Sequence, residues 1–111
     1  MQRNCVTILI VDDDAGHTEL VRRNLKRTGI NNPIDSVDNG SCALDYVFRR
    51  GRYAERQGDG ELLILLDIKM PGSLDGIEVL RQIKADTKSK LIPVIMLTTT
   101  DDPREINRCY E

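Results

Sequence analysis

Thr7-Ile8-Leu9-Ile10-Val11-Asp12-Asp13-Asp14 is a short apolar run that stops abruptly at three consecutive acids. A run of five aliphatic or β-branched residues with no alternation fits a strand buried on both faces, as in the interior of a parallel sheet. Outward from it, short aliphatic runs alternate with segments of helical period. Ala15–Thr28 reads as a helix carrying Leu20, Val21 and Leu25 on one face and closed by Gly29 just past its end. Pro33–Val37 reads as a weaker second strand. Asn39-Gly40 turns into a helix bearing Ala43, Leu44, Val47 and Phe48, and the polar Gly51–Glu61 segment with its three glycines reads as a loop. Leu62–Leu66 is a third strand, apolar throughout. Asp75-Gly76-Ile77-Glu78 has the capping-box pattern and opens a helix with Ile77, Leu80 and Ile83 facing inward. Pro93–Leu97 is a fourth strand, and Asp102-Pro103-Arg104-Glu105 repeats the capping device with proline in the first turn. Strands alternating with helices predict one doubly wound α/β domain with a parallel sheet.

All strands of a parallel sheet point the same way, so the residues just past their ends gather along one edge, where such folds place their ligands. Here those positions hold Asp12, Asp13 and Asp14 after strand one, Asp67 after strand three, and Thr98, Thr99 and Thr100 after strand four. Clustered carboxylates repel one another unless a cation or a proton neutralises them. An all-oxygen donor set suits a hard cation, and Mg²⁺ is usual where a few carboxylates share the ion with a phosphate. A carboxylate beside such an ion can attack phosphorus and become an aspartyl phosphate, with no base needed for an acid already ionised. Asp14 is read as the N-cap of the first helix rather than as a ligand. His17, at the third position of that helix, is read as a surface or capping residue and Asp75 as a cap.

The composition has a soluble globular balance and argues against several function classes. The chain has 111 residues, 40% hydrophobic and 31% charged, with a formal net charge of −2. Acids and bases are interspersed without the basic stripe that nucleic-acid binding demands. Only Phe48, Tyr46, Tyr53 and Tyr110 are aromatic, so the core must be aliphatic. Cys5, Cys42 and Cys109 follow no metal-ligand spacing, and the apolar runs fall far below the roughly 20 residues of a membrane span. The expected location is cytoplasmic, with no direct contact to nucleic acid or membrane.

I-L-I-V-D-D-D at the first strand, L-L-D-I-K-M-P followed by D-G at the third, and I-P-V-I-M-L-T-T at the fourth resemble the receiver domains of two-component response regulators. The resemblance runs from about Thr7 to the end. It implies the flavodoxin-like strand order 2-1-3-4-5 and a phosphorelay role of the bacterial type. Carried over by position, it makes Asp67 the phosphoacceptor, Asp13 a direct Mg²⁺ ligand, Asp12 the second acid of the metal pair and the Lys69 carbonyl a backbone ligand. Thr98 becomes the switch hydroxyl, and a histidine kinase the partner. The long Gly51–Glu61 loop and the fourth strand look like single-domain receivers that partner phytochrome-type kinases.

The sequence departs from the family at three places. Only thirteen residues follow Thr98, too few for a helical crossover of about 10–12 residues and a further strand. A lysine at the end of a fifth strand, usual in the family, is therefore not found, and residues 1–111 read as a receiver domain lacking its fifth strand and helix. That reading leaves two expectations open: the 111 residues are the ordered part of a longer chain, or a second copy completes them as a homodimer, through an exposed strand four or a swapped C-terminus. M-P-G-S-L-D-G carries one residue more than the usual spacing, and Lys69 stands where the family often has Asn. Three competing readings fit less well. A phosphohydrolase of the haloacid-dehalogenase class needs an acid two residues after its nucleophile, where Lys69 stands. A flavin or dinucleotide binder wants a glycine- or serine-rich loop in place of D-D-D-A-G-H. A pure interaction module would not require the acid set, although the missing lysine leaves that reading open for these 111 residues.

Overall fold

The structure is a computed structural model that describes residues 6–55, 61–68, 70 and 75–97. Four strands, β1 (Thr7–Val11), β2 (Ile34–Val37), β3 (Leu62–Asp67) and β4 (Val94–Leu97), alternate with three helices, α1 (Ala15–Arg27), α2 (Gly40–Phe48) and α3 (Gly76–Ala85). The strands form one parallel sheet in the order β2-β1-β3-β4. This is the doubly wound, flavodoxin-like arrangement expected through the fourth strand. Residues 98–111, including the helix start expected at Asp102, lie outside the described residues.

β1 and β3 are central and shielded on both faces, which is why their sequences do not alternate. Leu9, Val11, Ile64 and Leu66 point to one face, where Ala43, Leu44 and Tyr46 of α2 and Val79 and Ile83 of α3 cover them. Ile8, Ile10 and Leu65 point to the other, against Val21 and Leu25 of α1. Each fully buried side chain of this kind contributes roughly 1.5–3 kcal/mol by its removal from water.

Capping fixes where the helices start and stop. Asp14 is the N-cap of α1, its carboxylate accepting from the backbone N–H groups of Gly16 at 2.9 Å and His17 at 3.2 Å. Asn39 caps α2 and Asp75 caps α3. The Asp75 box is half-formed: Asp75 accepts from the Glu78 N–H at 2.9 Å, while the Glu78 side chain turns to Arg81 and Gln82. Gly29 follows α1 with φ of 93°, the left-handed conformation that terminates helices. After α3, the backbone N–H groups of Ser89 and Lys88 hold the Asp86 carboxyl below the usual carboxylate range.

Two expectations need correction. Leu20 does not face the core; it is 53% exposed. The inward stripe of α1 is Thr18, Val21 and Leu25, spaced i, i+3, i+7, with a polar residue in the first place. The segment after α2 is not wholly irregular either, since Gly51–Tyr53 forms one 3₁₀ turn whose Tyr53 ring meets Tyr46 edge-on, centroids 5.0 Å apart.

Candidate functional site

Register brings the acids together. Val11 pairs with Leu66 across the β1–β3 ladder, so the next residue on each chain, Asp12 and Asp67, stand side by side at the sheet's carboxyl edge. The Asp12 N–H still donates to the Val37 carbonyl of β2 at 3.1 Å, and the chain then turns into α1, which begins three residues later behind the Asp14 cap. Asp67 closes β3 opposite Leu97 of β4. Carboxylate oxygens of Asp12, Asp13 and Asp67 all lie within 4.8 Å of one another, the described residues' one cluster of metal-ligand type.

The three acids differ in setting. Asp12 and Asp67 are 2% and 9% exposed, while Asp13 opens to solvent. Two carboxylate charges about 4 Å apart repel by about 4 kcal/mol at the effective dielectric of a protein surface layer, more than one hydrogen bond offsets. Part of the compensation is local. The Asp14 N–H donates to Asp12 Oδ1 at 2.9 Å, and the His17 ring meets Asp12 Oδ2 through Nδ1. What remains is a three-oxygen, anionic, half-open donor set, the chemistry of a hard divalent cation site. The residues present therefore fit such an ion.

The β3 side of the edge is held by close backbone packing. Gly76 opens α3 directly over the end of β3, its N–H donating to the Ile68 carbonyl at 3.1 Å. A Cβ at Gly76 would stand 2.1 Å from the Asp67 carbonyl oxygen and 2.7 Å from the Ile68 Cα, so only glycine fits. Ile68 itself is buried among Ile77 and Met96.

Of the residues expected at the site, Asp12, Asp13 and Asp67 come together. Lys69 and Thr98 lie outside the described residues, as do residues 71–74 of the lengthened loop. Asp14 is a cap, as read. Two participants escaped the sequence reading: His17, whose ring reaches back five residues to Asp12, and Gly76, read only as part of a capping pattern. The D-G pair was the available signal for Gly76. For His17 there was none beyond its nearness to three acids.

The family model for the response regulator receiver domain matches residues 8–111. Response regulator Rcp1 of Synechocystis is 34% identical over 94% of this chain and 69% of its own length. A Mn²⁺-bound structure of response regulator Rcp1 superposes with a TM-score of 0.80, covering 94% of this chain and 73% of that one at 32% identity. The bacteriophytochrome response regulator AtBRR superposes with a TM-score of 0.86 at 33% identity, covering 98% of this chain and 76% of that one. The phosphorylated cyanobacterial phytochrome response regulator RcpA gives 0.83 at 32% identity, covering 97% and 74%. The chain spans 69% of the length of Rcp1 and 38% of that of the transcriptional regulatory protein ResD of Bacillus subtilis. With four parallel strands in receiver order, an acid triad at their carboxyl edge and a matched family model over nearly its whole length, this chain belongs to the response regulator receiver domains of two-component signalling.

Proposed function

We propose that this domain takes a phosphoryl group from the phosphohistidine of a partner kinase onto Asp67. The observation that carries the reading is the meeting of Asp12, Asp13 and Asp67 at the ends of two adjacent parallel strands. In the transfer, an Asp67 carboxylate oxygen attacks phosphorus, the P–N bond to the donor imidazole breaks, and the imidazole leaves with its electron pair. No base is needed, because the nucleophile is already ionised. Asp12, Asp13 and Asp67, with the Lys69 carbonyl, would hold a Mg²⁺ ion, which when bound supplies neutralising charge to the phosphoryl oxygens. The Mn²⁺ complex of Rcp1 and the phosphorylated form of RcpA support this by similarity. The Thr98 hydroxyl is assigned to the phosphoryl group as the reporter of its presence.

The reaction is self-modification, with water as the later acceptor, and not turnover of other phosphate esters. The position two residues after Asp67 is Lys69, so the general acid of the dehalogenase type is not there. The AtBRR and RcpA likeness supports a phytochrome-type histidine kinase as the partner. No helix among the described residues is long and apolar enough to cross a membrane. A second copy is assigned to the β4 side, where Ile95 is 49% exposed and β4 is the outermost strand among the described residues.

The test is labelling with acetyl phosphate or phosphorylated kinase in the presence of Mg²⁺. Asp67→Asn is expected to abolish incorporation, and incorporation at the parent stoichiometry in that variant refutes the assignment.

A further inference from the structure

Both oxygens of the buried Asp12 carboxylate are engaged by its own chain: Oδ1 by the Asp14 N–H at 2.9 Å and Oδ2 by the His17 Nδ1. The first donor belongs to the backbone and survives any side-chain change. The second is removable, and its placement is firm, because the His17 backbone N–H is itself tied to the Asp14 cap at 3.2 Å. The His17 side chain is 31% exposed while that of Asp12 is 1% exposed, so the ring stands between a buried acid and solvent. A carboxylate only accepts, so Nδ1 carries the hydrogen in this contact, and a neutral imidazole suffices.

We infer that His17 is a positioning residue for the cation site. Its Nδ1–H fixes the Asp12 carboxylate in the orientation that brings an oxygen within 4.8 Å of those of Asp13 and Asp67. This rests on the metal reading proposed above. A carboxylate oxygen with one lone pair given to His17 keeps another for the ion, so the contact orients the ligand without consuming it. Donors behind metal-binding carboxylates commonly change metal affinity by about 10–100-fold when removed. The bland alternative is that His17 only satisfies a buried acid and so supports the fold.

The two separate in Mn²⁺ binding by the whole chain, read from the electron paramagnetic resonance signal of free Mn²⁺. His17→Ala is expected to weaken binding about 10-fold. His17→Asn places an amide N–H where Nδ1 stood and is expected to restore affinity to within about 3-fold. His17→Gln carries its donor at the position of the far ring nitrogen and is expected to bind as weakly as His17→Ala. In an Asp12→Ala background, His17→Ala should add less than about a 2-fold effect, since the partner through which it acts is gone. Unchanged Mn²⁺ affinity with a lowered melting temperature in His17→Ala overturns the inference in favour of the structural role. So does an Asn variant no better than Gln, a comparison that holds even where the Ala variant fails to fold. Mn²⁺ binding that survives Asp13→Ala, or no binding by the parent, overturns the metal reading itself and the inference with it.

Discussion

The two strands that build the acid edge hold their acids by different means. On β1, Asp12 is fixed through its side chain, by hydrogen bonds from the Asp14 N–H and the His17 ring. On β3, Asp67 is fixed through its backbone, pressed by Gly76 at the first turn of α3 and linked onward by the Ile68–Gly76 hydrogen bond. A hydrogen bond can be lost one at a time, and its loss loosens a single rotamer. A backbone-to-backbone packing contact cannot be relaxed by rotating a side chain, so disturbing it moves a helix. The β1 arm is accordingly adjustable, while the β3 arm, which carries the acceptor, is rigid. For a site in which the acceptor must meet an incoming phosphorus in line, rigidity belongs on the nucleophile's side and tolerance on the ligand's.

The sharpest way to break this contrast is Gly76→Ala. The added methyl would meet the Asp67 carbonyl and the Ile68 Cα, neither of which can turn aside. Overpacking typically costs about 1–3 kcal/mol, and backbone obstruction places this case at or beyond the upper end. A fall of about 3 kcal/mol in unfolding free energy is expected from urea titration at unchanged slope. A loss below about 1 kcal/mol would show that α3 lifts off β3 easily and that the acceptor arm is not rigid.

Next in size is the coupling of the acids to the cation. With Mg²⁺ at about 100 times its dissociation constant, binding to the folded state alone adds roughly 2.7 kcal/mol. Asp13→Ala should abolish that increment, and without the ion it should melt slightly higher than the parent because one repelling charge is gone. Thermal melts with and without Mg²⁺ check both signs. An equal Mg²⁺ shift in parent and variant would remove Asp13 from the ligand set.

How far the sequence foretold this edge follows from the range of the forces involved. The strands T-I-L-I-V and L-L-I-L-L were legible because burial on two faces forbids polar residues, a constraint written in consecutive positions. The acids were legible because parallel topology forces strand ends together. Leu20 misled because the inward stripe of α1 begins with Thr18, so an apolar count kept Val21 and Leu25 but took an outward leucine in place of a buried threonine. Gly76 was visible as a turn residue, but the reason only glycine fits is a contact with the end of a strand nine residues earlier in the chain. His17 reaches Asp12 across the break between strand and helix, where neither the period of 2 nor that of 3.6 applies.

A smaller effect is expected at the cap of α3. Asp75→Ala removes the acceptor for the Glu78 N–H and should lower stability by about 1 kcal/mol. Because Gly76 follows directly, fraying there would first loosen the helix turn that presses on Asp67. Hydrogen exchange at Glu78 and Val79 should speed up before exchange in β3 does. Simultaneous acceleration in both would mean that cap and strand open as one unit.

The smallest expected effect separates neighbours in the run of three acids. Asp14 contributes to the β1 arm in two ways: its carboxylate caps α1, and its backbone N–H holds Asp12. Asp14→Asn leaves both in place, since Asn caps about as well as Asp and the backbone N–H is unaltered. It removes one exposed charge near the site, whose influence on a bound cation is screened by solvent and salt. Stability should therefore stay within about 0.5 kcal/mol of the parent, and Mg²⁺ affinity should fall by no more than a few-fold at 0.15 M salt. Asp13→Asn, one residue earlier, keeps the size of its side chain but loses the ligand charge, and should fall much further. Comparable losses at the two positions would mean that Asp14 turns from its cap to the ion, and that the β1 arm is looser than its hydrogen bonds indicate.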